Sequence, residues 1–156
     1  MDAYIALGSN LGNKCRNLVL AAARLAERAG SVAAISSFYE TEPWGFESEN
    51  SFLNAVLLLE TSLSPTDLLH VSQEIERELG RTKKTAEIYQ DRIIDIDLLL
   101  YGNKILNTPE LIVPHPLMHR RDFVMRPLAE IAPSVRHPIL GKTMIEICQK
   151  LSKTEM

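Results

Sequence analysis

An apolar run broken twice by the same acid constrains this chain most. Residues 93–101 read Ile-Ile-Asp-Ile-Asp-Leu-Leu-Leu-Tyr, the most hydrophobic strand-like stretch, with Asp95 and Asp97 two positions apart inside it. Side chains two apart on a strand point the same way, with Cα atoms ~6.5 Å apart. Both carboxylates are therefore expected on one face, with Ile94, Ile96, Leu98 and Leu100 on the other. Aspartate is depleted in strands and is rarely buried without a partner. Either that face is wet and carries two solvated acids, or it holds a divalent cation. Hard oxygen ligands from one or two carboxylates, completed by water and substrate phosphates, are the usual way of holding Mg²⁺.

The rest of the chain supplies the frame for this strand. Residues 3–7 predict a first strand, closed by Gly8-Ser9-Asn10. Leu18, Ala21, Ala22, Leu25, Ala26 and Ala29 recur at helical spacing, with Gly30 expected to end that helix in the left-handed conformation. Residues 32–39 and 52–61 predict two further strands around a loop at 42–51. Ser64-Pro65-Thr66-Asp67 is a helix start, with Leu68, Val71, Ile75 and Leu79 as its buried stripe and Gly80 as its end. A polar loop at 81–91 precedes the acid-bearing strand. Beyond it come a proline-punctuated stretch, a helical segment interrupted near Pro127 and Pro133, and a final helix over 144–151. The order β-α-β-β-α-β predicts an α+β, ferredoxin-like sandwich: a mainly antiparallel sheet with helices packed on it and C-terminal helical additions.

Composition narrows the function classes. The chain has 156 residues, 46% hydrophobic and 24% charged, which suits one domain over 1–156 with a real core and argues against disorder. Its formal net charge of -3 disfavours a nucleic-acid partner such as a metal-dependent nuclease would need. No apolar stretch approaches the roughly 20 residues of a membrane span. Cys15 and Cys148 lack CxxC spacing, and the N-terminus enters a strand at once. A monomeric cytoplasmic protein without a membrane partner is expected.

Other polar residues join the acid pair. Phe52 and Asn54 share a strand face, where a ring beside a carboxamide can stack a flat heterocycle and bond its edge. Taken alone, Asn54 is better explained as an Asn satisfied by a neighbouring strand or turn. Cations cluster at Arg77, Arg81, Lys83 and Lys84, and again at Arg120, Arg121 and Arg126 with His115 and His119; Arg92 lies beside the acids. Such clustering suits a polyphosphate, although a charged loop is often only solvated surface. Two motifs fail. Residues 8–14 have three residues between the glycines, where a phosphate loop needs four and an adjacent lysine; Pro116 lies between His115 and His119, which lack the acid of a zinc motif.

The chain resembles the 6-hydroxymethyl-7,8-dihydropterin pyrophosphokinases of folate biosynthesis. The matching segments are Tyr4-Ile5-Ala6-Leu7-Gly8-Ser9-Asn10-Leu11, Ser36-Ser37-Phe38-Tyr39-Glu40-Thr41, Phe52-Leu53-Asn54-Ala55, Gln73-Glu74-Ile75-Glu76 and Gly80-Arg81. They continue through Arg92-Ile93-Ile94-Asp95-Ile96-Asp97-Leu98-Leu99, Pro114-His115 and Arg121-Asp122-Phe123. An arginine followed by D-x-D in a strand is the most specific of these marks.

The resemblance implies a ferredoxin-like fold and transfer of the pyrophosphoryl group of ATP to the pterin hydroxymethyl, leaving AMP. It implies that Asp95 and Asp97 hold two Mg²⁺ ions and that Arg81 and Arg92 act on the transferring group. Thr41, Pro43, Trp44, Phe52, Asn54 and Phe123 match pterin-side positions. Gln73, Glu76, Lys83, Tyr89, Arg92, Leu98, His115 and Arg121 match nucleotide-side positions. The loop at 42–51, which carries Gly45 and Trp44, is expected to close over the site. The chain departs from the family pattern before Arg92, where it reads Tyr89-Gln90-Asp91, and at Glu110, Ile112 and Pro116. A non-enzymatic reading, a ligand-binding module whose aspartates hold a structural cation, would bind nucleotide without releasing AMP.

Overall fold

β1 (Asp2–Ser9) lies at the middle of the sheet, and its alternation explains why. Ala3, Ile5 and Leu7 point to one side and Tyr4 and Ala6 to the other, so the strand needs cover on both faces. The computed structural model of the chain describes residues 1–41, 51–80 and 93–154. β1 pairs antiparallel with β4 (Phe52–Glu60) over its whole length, and with β5 (Asp95–Tyr101) on its other side. β2 (Ser31–Ile35) pairs with the far edge of β4, giving the order β2-β4-β1-β5 with every neighbour antiparallel. α1 (Lys14–Arg28) joins β1 to β2, and α2 (Pro65–Glu78) joins β4 to β5. This is the expected βαββαβ arrangement.

Helices cover both faces. Asn13 caps α1 by accepting the Arg16 N–H at 3.1 Å, and Ser64 caps α2 by accepting the Asp67 N–H at 3.1 Å. Leu18 and Leu25 of α1, with Leu68 and Ile75 of α2, pack on Ile5, Leu7, Leu57, Leu59 and Ile96, all of them buried. On the opposite face α3 (Asp122–Ile131), α4 (Met144–Thr154) and a 3-10 turn at Met118–Arg120 cover Tyr4, Val56, Leu99 and Leu100.

The structure departs from the sequence reading where one hydrogen bond or one close approach outweighs periodicity. The first strand continues through Gly8 and Ser9. Residues 32–39 are not one strand. The Ser36 hydroxyl accepts the Val56 N–H at 2.9 Å, and pairing resumes at β3 (Tyr39–Thr41), farther along the same edge of β4. Gly30 is absent from the positive-φ glycines and Ala29 caps α1; a Cβ at Gly30 would lie 2.1 Å from the Glu60 carbonyl oxygen, so close backbone approach explains it. β5 begins at Asp95 rather than Ile93. Its register shifts between Leu98 and Leu100, which leaves Leu99 as an extra residue. That bulge turns Leu100 toward α3 and α4, away from Ile94, Ile96 and Leu98. Pro127 lies inside α3 instead of interrupting it, because burial of its ring outweighs the missing hydrogen bond. The proline-punctuated stretch contains a small hairpin, β6 (Leu106–Asn107) with β7 (Ile112–Val113), and α4 runs on to Thr154.

Candidate active site

The strand register brings the predicted residues onto one face. Asp95 lies opposite Gly8, Gly8 lies opposite Asn54, and Asn54 lies opposite Tyr39, so one row crosses β5, β1, β4 and β3. Directly opposed residues of an antiparallel pair share a face. Ala6 fills the next same-face position of β1, opposite Asp97 on one side and Val56 on the other. Between the amide and the acids the floor is therefore a glycine and an alanine. Two strand spacings separate Asn54 from Asp95, roughly 10 Å. A side chain at Gly8 would crowd the amide, since a Cβ would lie 3.1 Å from Asn54 Oδ1, with Phe52 Cδ1 in ordinary contact at 3.7 Å.

At one end of this row the amide is oriented by β3. Asn54 is buried and its Nδ2 donates to Thr41 Oγ1 at 2.8 Å, which turns Oδ1 toward Gly8. Phe52, two residues earlier on β4, borders the same floor. Phe123 lies in the first turn of α3, and the Arg121 guanidinium sits 5.7 Å from the centre of its ring.

At the other end the acids crowd one another. Burial, the Asp95 charge and the Glu76 charge hold the Asp97 carboxyl well above the usual carboxylate range; a hydrogen bond with Asp95 adds to this and Arg121 opposes it. Two carboxylates that resist ionising together are a ready seat for a cation, which removes the repulsion. Among the described residues no set of three or more His, Cys, Asp or Glu side chains gathers into a metal cage. A pair of carboxylate oxygens suits a hard cation such as Mg²⁺, which is commonly bound through one or two carboxylates plus water and phosphate.

The groups around the acids are held by backbone bonds. Glu76, buried on α2, accepts the Ile96 N–H at 2.8 Å, between the two aspartates on the outer edge of β5. The His115 N–H donates to the carbonyl of the bulged Leu99 at 2.9 Å. Burial first, and then the Arg121 charge, push the His115 pKa down to about 4, with Asp95 opposing. Its Nδ1 accepts the Leu117 N–H at 3.2 Å, so the neutral ring carries its proton on Nε2 as a donor.

Of the expected site residues, Asp95, Asp97, Asn54, Thr41 and Phe52 share this floor or its edge; Glu76 and Arg121 act on Asp97, and Asp95 acts on His115. Gln73 is half-buried on α2. The Leu98 side chain does not join them; it packs in the core on the α1 and α2 side. Pro43, Trp44, Arg81, Lys83, Tyr89 and Arg92 lie outside the described residues, as does nearly all of the loop at 42–51. Sequence reasoning missed Gly8 as the floor. A glycine continuing an apolar strand was the signal for it, since such a glycine marks a close approach.

Known proteins place these features in context. The sequence profile described as 7,8-dihydro-6-hydroxymethylpterin-pyrophosphokinase (HPPK) matches residues 4–133. A 2-amino-4-hydroxy-6-hydroxymethyldihydropteridine pyrophosphokinase of Porphyromonas gingivalis is 52% identical over 137 residues, covering 86% of this chain and 92% of that protein. The Bacillus subtilis protein of the same name is 46% identical over 134 residues, covering 85% of this chain and 79% of that one. A crystal structure of an HPPK-DHPS in complex with substrates superposes with a TM-score of 0.77 at 16% identity, covering 99% of this chain. This chain spans 44% of that longer one, and at such identity the likeness speaks for the fold alone.

Proposed function

From its place in the 7,8-dihydro-6-hydroxymethylpterin-pyrophosphokinase family, to which the chain belongs, we propose how its residues divide the work of the reaction. The protein transfers the pyrophosphoryl group of ATP to 6-hydroxymethyl-7,8-dihydropterin, giving AMP and the dihydropterin diphosphate, a step of folate biosynthesis. ATP is the co-substrate.

Asp95 and Asp97 would hold Mg²⁺, two ions in this reading, which neutralises triphosphate charge and makes the β-phosphorus a better electrophile. Asn54 Oδ1 accepts from the pterin edge. Thr41 fixes which end of the amide faces the ring, and Phe52 and Phe123 stack its two faces; Pro43 and Trp44 complete this side. His115 Nε2–H and Arg121 hold the nucleotide phosphates, with Gln73, Glu76, Lys83, Tyr89 and the Leu98 segment on the nucleotide side. Arg81 and Arg92 stabilise charge on the group in flight. The hydroxymethyl oxygen bonds to the β-phosphorus and gives up its proton to solvent as the bond from that phosphorus to the α-bridging oxygen breaks and AMP leaves.

The observation that carries this reading is the row Asn54, Gly8, Asp95. It sets the Asn54 amide and the Asp95 carboxylate on one face, roughly two strand spacings apart with no side chain between them, the spacing this reading needs. We read the chain as one domain over 1–156 acting as a cytoplasmic monomer. The single domain is supported by one sheet serving both cores.

Incubation with ATP, Mg²⁺ and hydroxymethyl-dihydropterin tests the assignment through its nucleotide product. AMP is expected in step with the dihydropterin diphosphate. ADP would contradict it.

A further inference from the structure

α3 carries an acid where a helix disfavours one. The macrodipole leaves partial negative charge at a helix C-terminus, yet Glu130 occupies the last turn of α3, which holds no basic residue. Its carboxylate is engaged instead by the chain entering β3. The Ser37 N–H donates to both oxygens, at 3.1 and 3.0 Å; the Ser37 hydroxyl donates at 3.0 Å and the Tyr39 hydroxyl at 2.6 Å. The Tyr39 bond, followed by those of Ser37, holds the Glu130 carboxyl below its usual range, while Glu130 and burial push the Tyr39 hydroxyl up to about 12.

The two elements joined here carry opposite walls of the pterin site proposed above, a reading on which this inference rests. α3 bears Phe123 in its first turn, and β3 bears Thr41, which orients Asn54. β3 is three residues long and pairs with β4. So short a strand opens readily, and a second attachment fixes it. We propose that Glu130 is a positioning residue for the pterin, locking β3 against α3 so that the Thr41–Asn54 pair and the Phe123 ring keep one spacing.

Glu130→Gln tests this, because the amide keeps the volume but sets a donor against the Ser37 N–H. The pterin KM should rise about tenfold while the ATP KM and kcat stay within about twofold. Tyr39→Phe removes one of the four bonds and should shift the pterin KM in the same direction by less. With both changes present, the effect should fall short of the product of the two. Equal rises in both KM values, or an unchanged pterin KM, would overturn the proposal. If Glu130→Gln does not fold, Tyr39→Phe decides alone: a pterin KM unchanged, or moved together with the ATP KM, overturns it. Asn54→Ala separates the two levels of the argument. Should it leave the pterin KM untouched, the pterin site itself is misplaced. Should it raise that KM while Glu130→Gln does not, only the role of Glu130 fails.

Discussion

On the face of the sheet toward α1 and α2, Ile5, Leu7, Leu57 and Ile96 meet Leu18, Leu25, Leu68 and Ile75, all excluded from water. At the same level on the opposite face, Ala6 and Gly8 separate Asn54 from Asp95 and Asp97. The same strands build both, and strand alternation alone divides them. The first face buries large apolar side chains and supplies stability. The second gives up that burial, sets like charges side by side and keeps a glycine in a strand, each of which costs stability. The proposed site lies on the face that carries these costs, backed by one that can bear them.

Substitutions should therefore have opposite signatures on the two faces. Asp95→Asn or Asp97→Asn should lower turnover by about 10³-fold or more, as loss of a charge-stabilising group does. Thermal unfolding should stay cooperative at an equal or higher midpoint, since a repulsion is removed. Leu57→Ala reverses the pattern: it should cost about 2–5 kcal/mol in denaturant unfolding, with near-normal activity per folded molecule. A variant of the acid pair that loses stability and activity together would erase the distinction.

The Gly8 position sharpens the comparison by a smaller effect. A Cβ there would press on Asn54 Oδ1 at 3.1 Å, so Gly8→Ala should weaken pterin binding by about tenfold and leave nucleotide binding alone. Titration of the pterin into the protein bearing a non-hydrolysable nucleotide checks both.

His115 also sets a pH dependence of stability. Its folded pKa, about 4, lies below the ordinary value of 6.5, so its contribution is fully present above 6.5 and is lost as pH falls toward 4. Denaturant melts of the wild-type chain and His115→Gln should diverge across that window, with the wild type losing relative stability on acidification. Parallel curves would mean that the ring ionises freely in the folded protein.

Much of this division could be read from the amino-acid order. Alternation in β1 and β5, the Ser64-Pro65 helix start and the two-residue spacing of Asp95 and Asp97 are local signals, and they led to the βαββαβ fold and the acid pair. What escaped depends on contacts distant in sequence. Leu100 follows the expected period until the Leu99 bulge, whose carbonyl meets His115, turns it to the other face. Ser36 breaks a strand because its hydroxyl replaces a backbone partner of Val56. Glu130 gains meaning only through Ser37 and Tyr39, more than ninety residues away. Gly8 reads locally as the end of a strand, and only its partners across the sheet, Asn54 and Asp95, make it part of the floor.

In the proposed reaction the acid pair serves the metal–nucleotide complex and does not merely decorate a wet strand. Calorimetric titration of the wild-type chain and Asp97→Asn with a non-hydrolysable ATP analogue, once with Mg²⁺ and once with a chelator, tests it most directly. Binding by the variant should be at least ~tenfold weaker in Mg²⁺ and unchanged in chelator. Equal affinities in Mg²⁺ would contradict it.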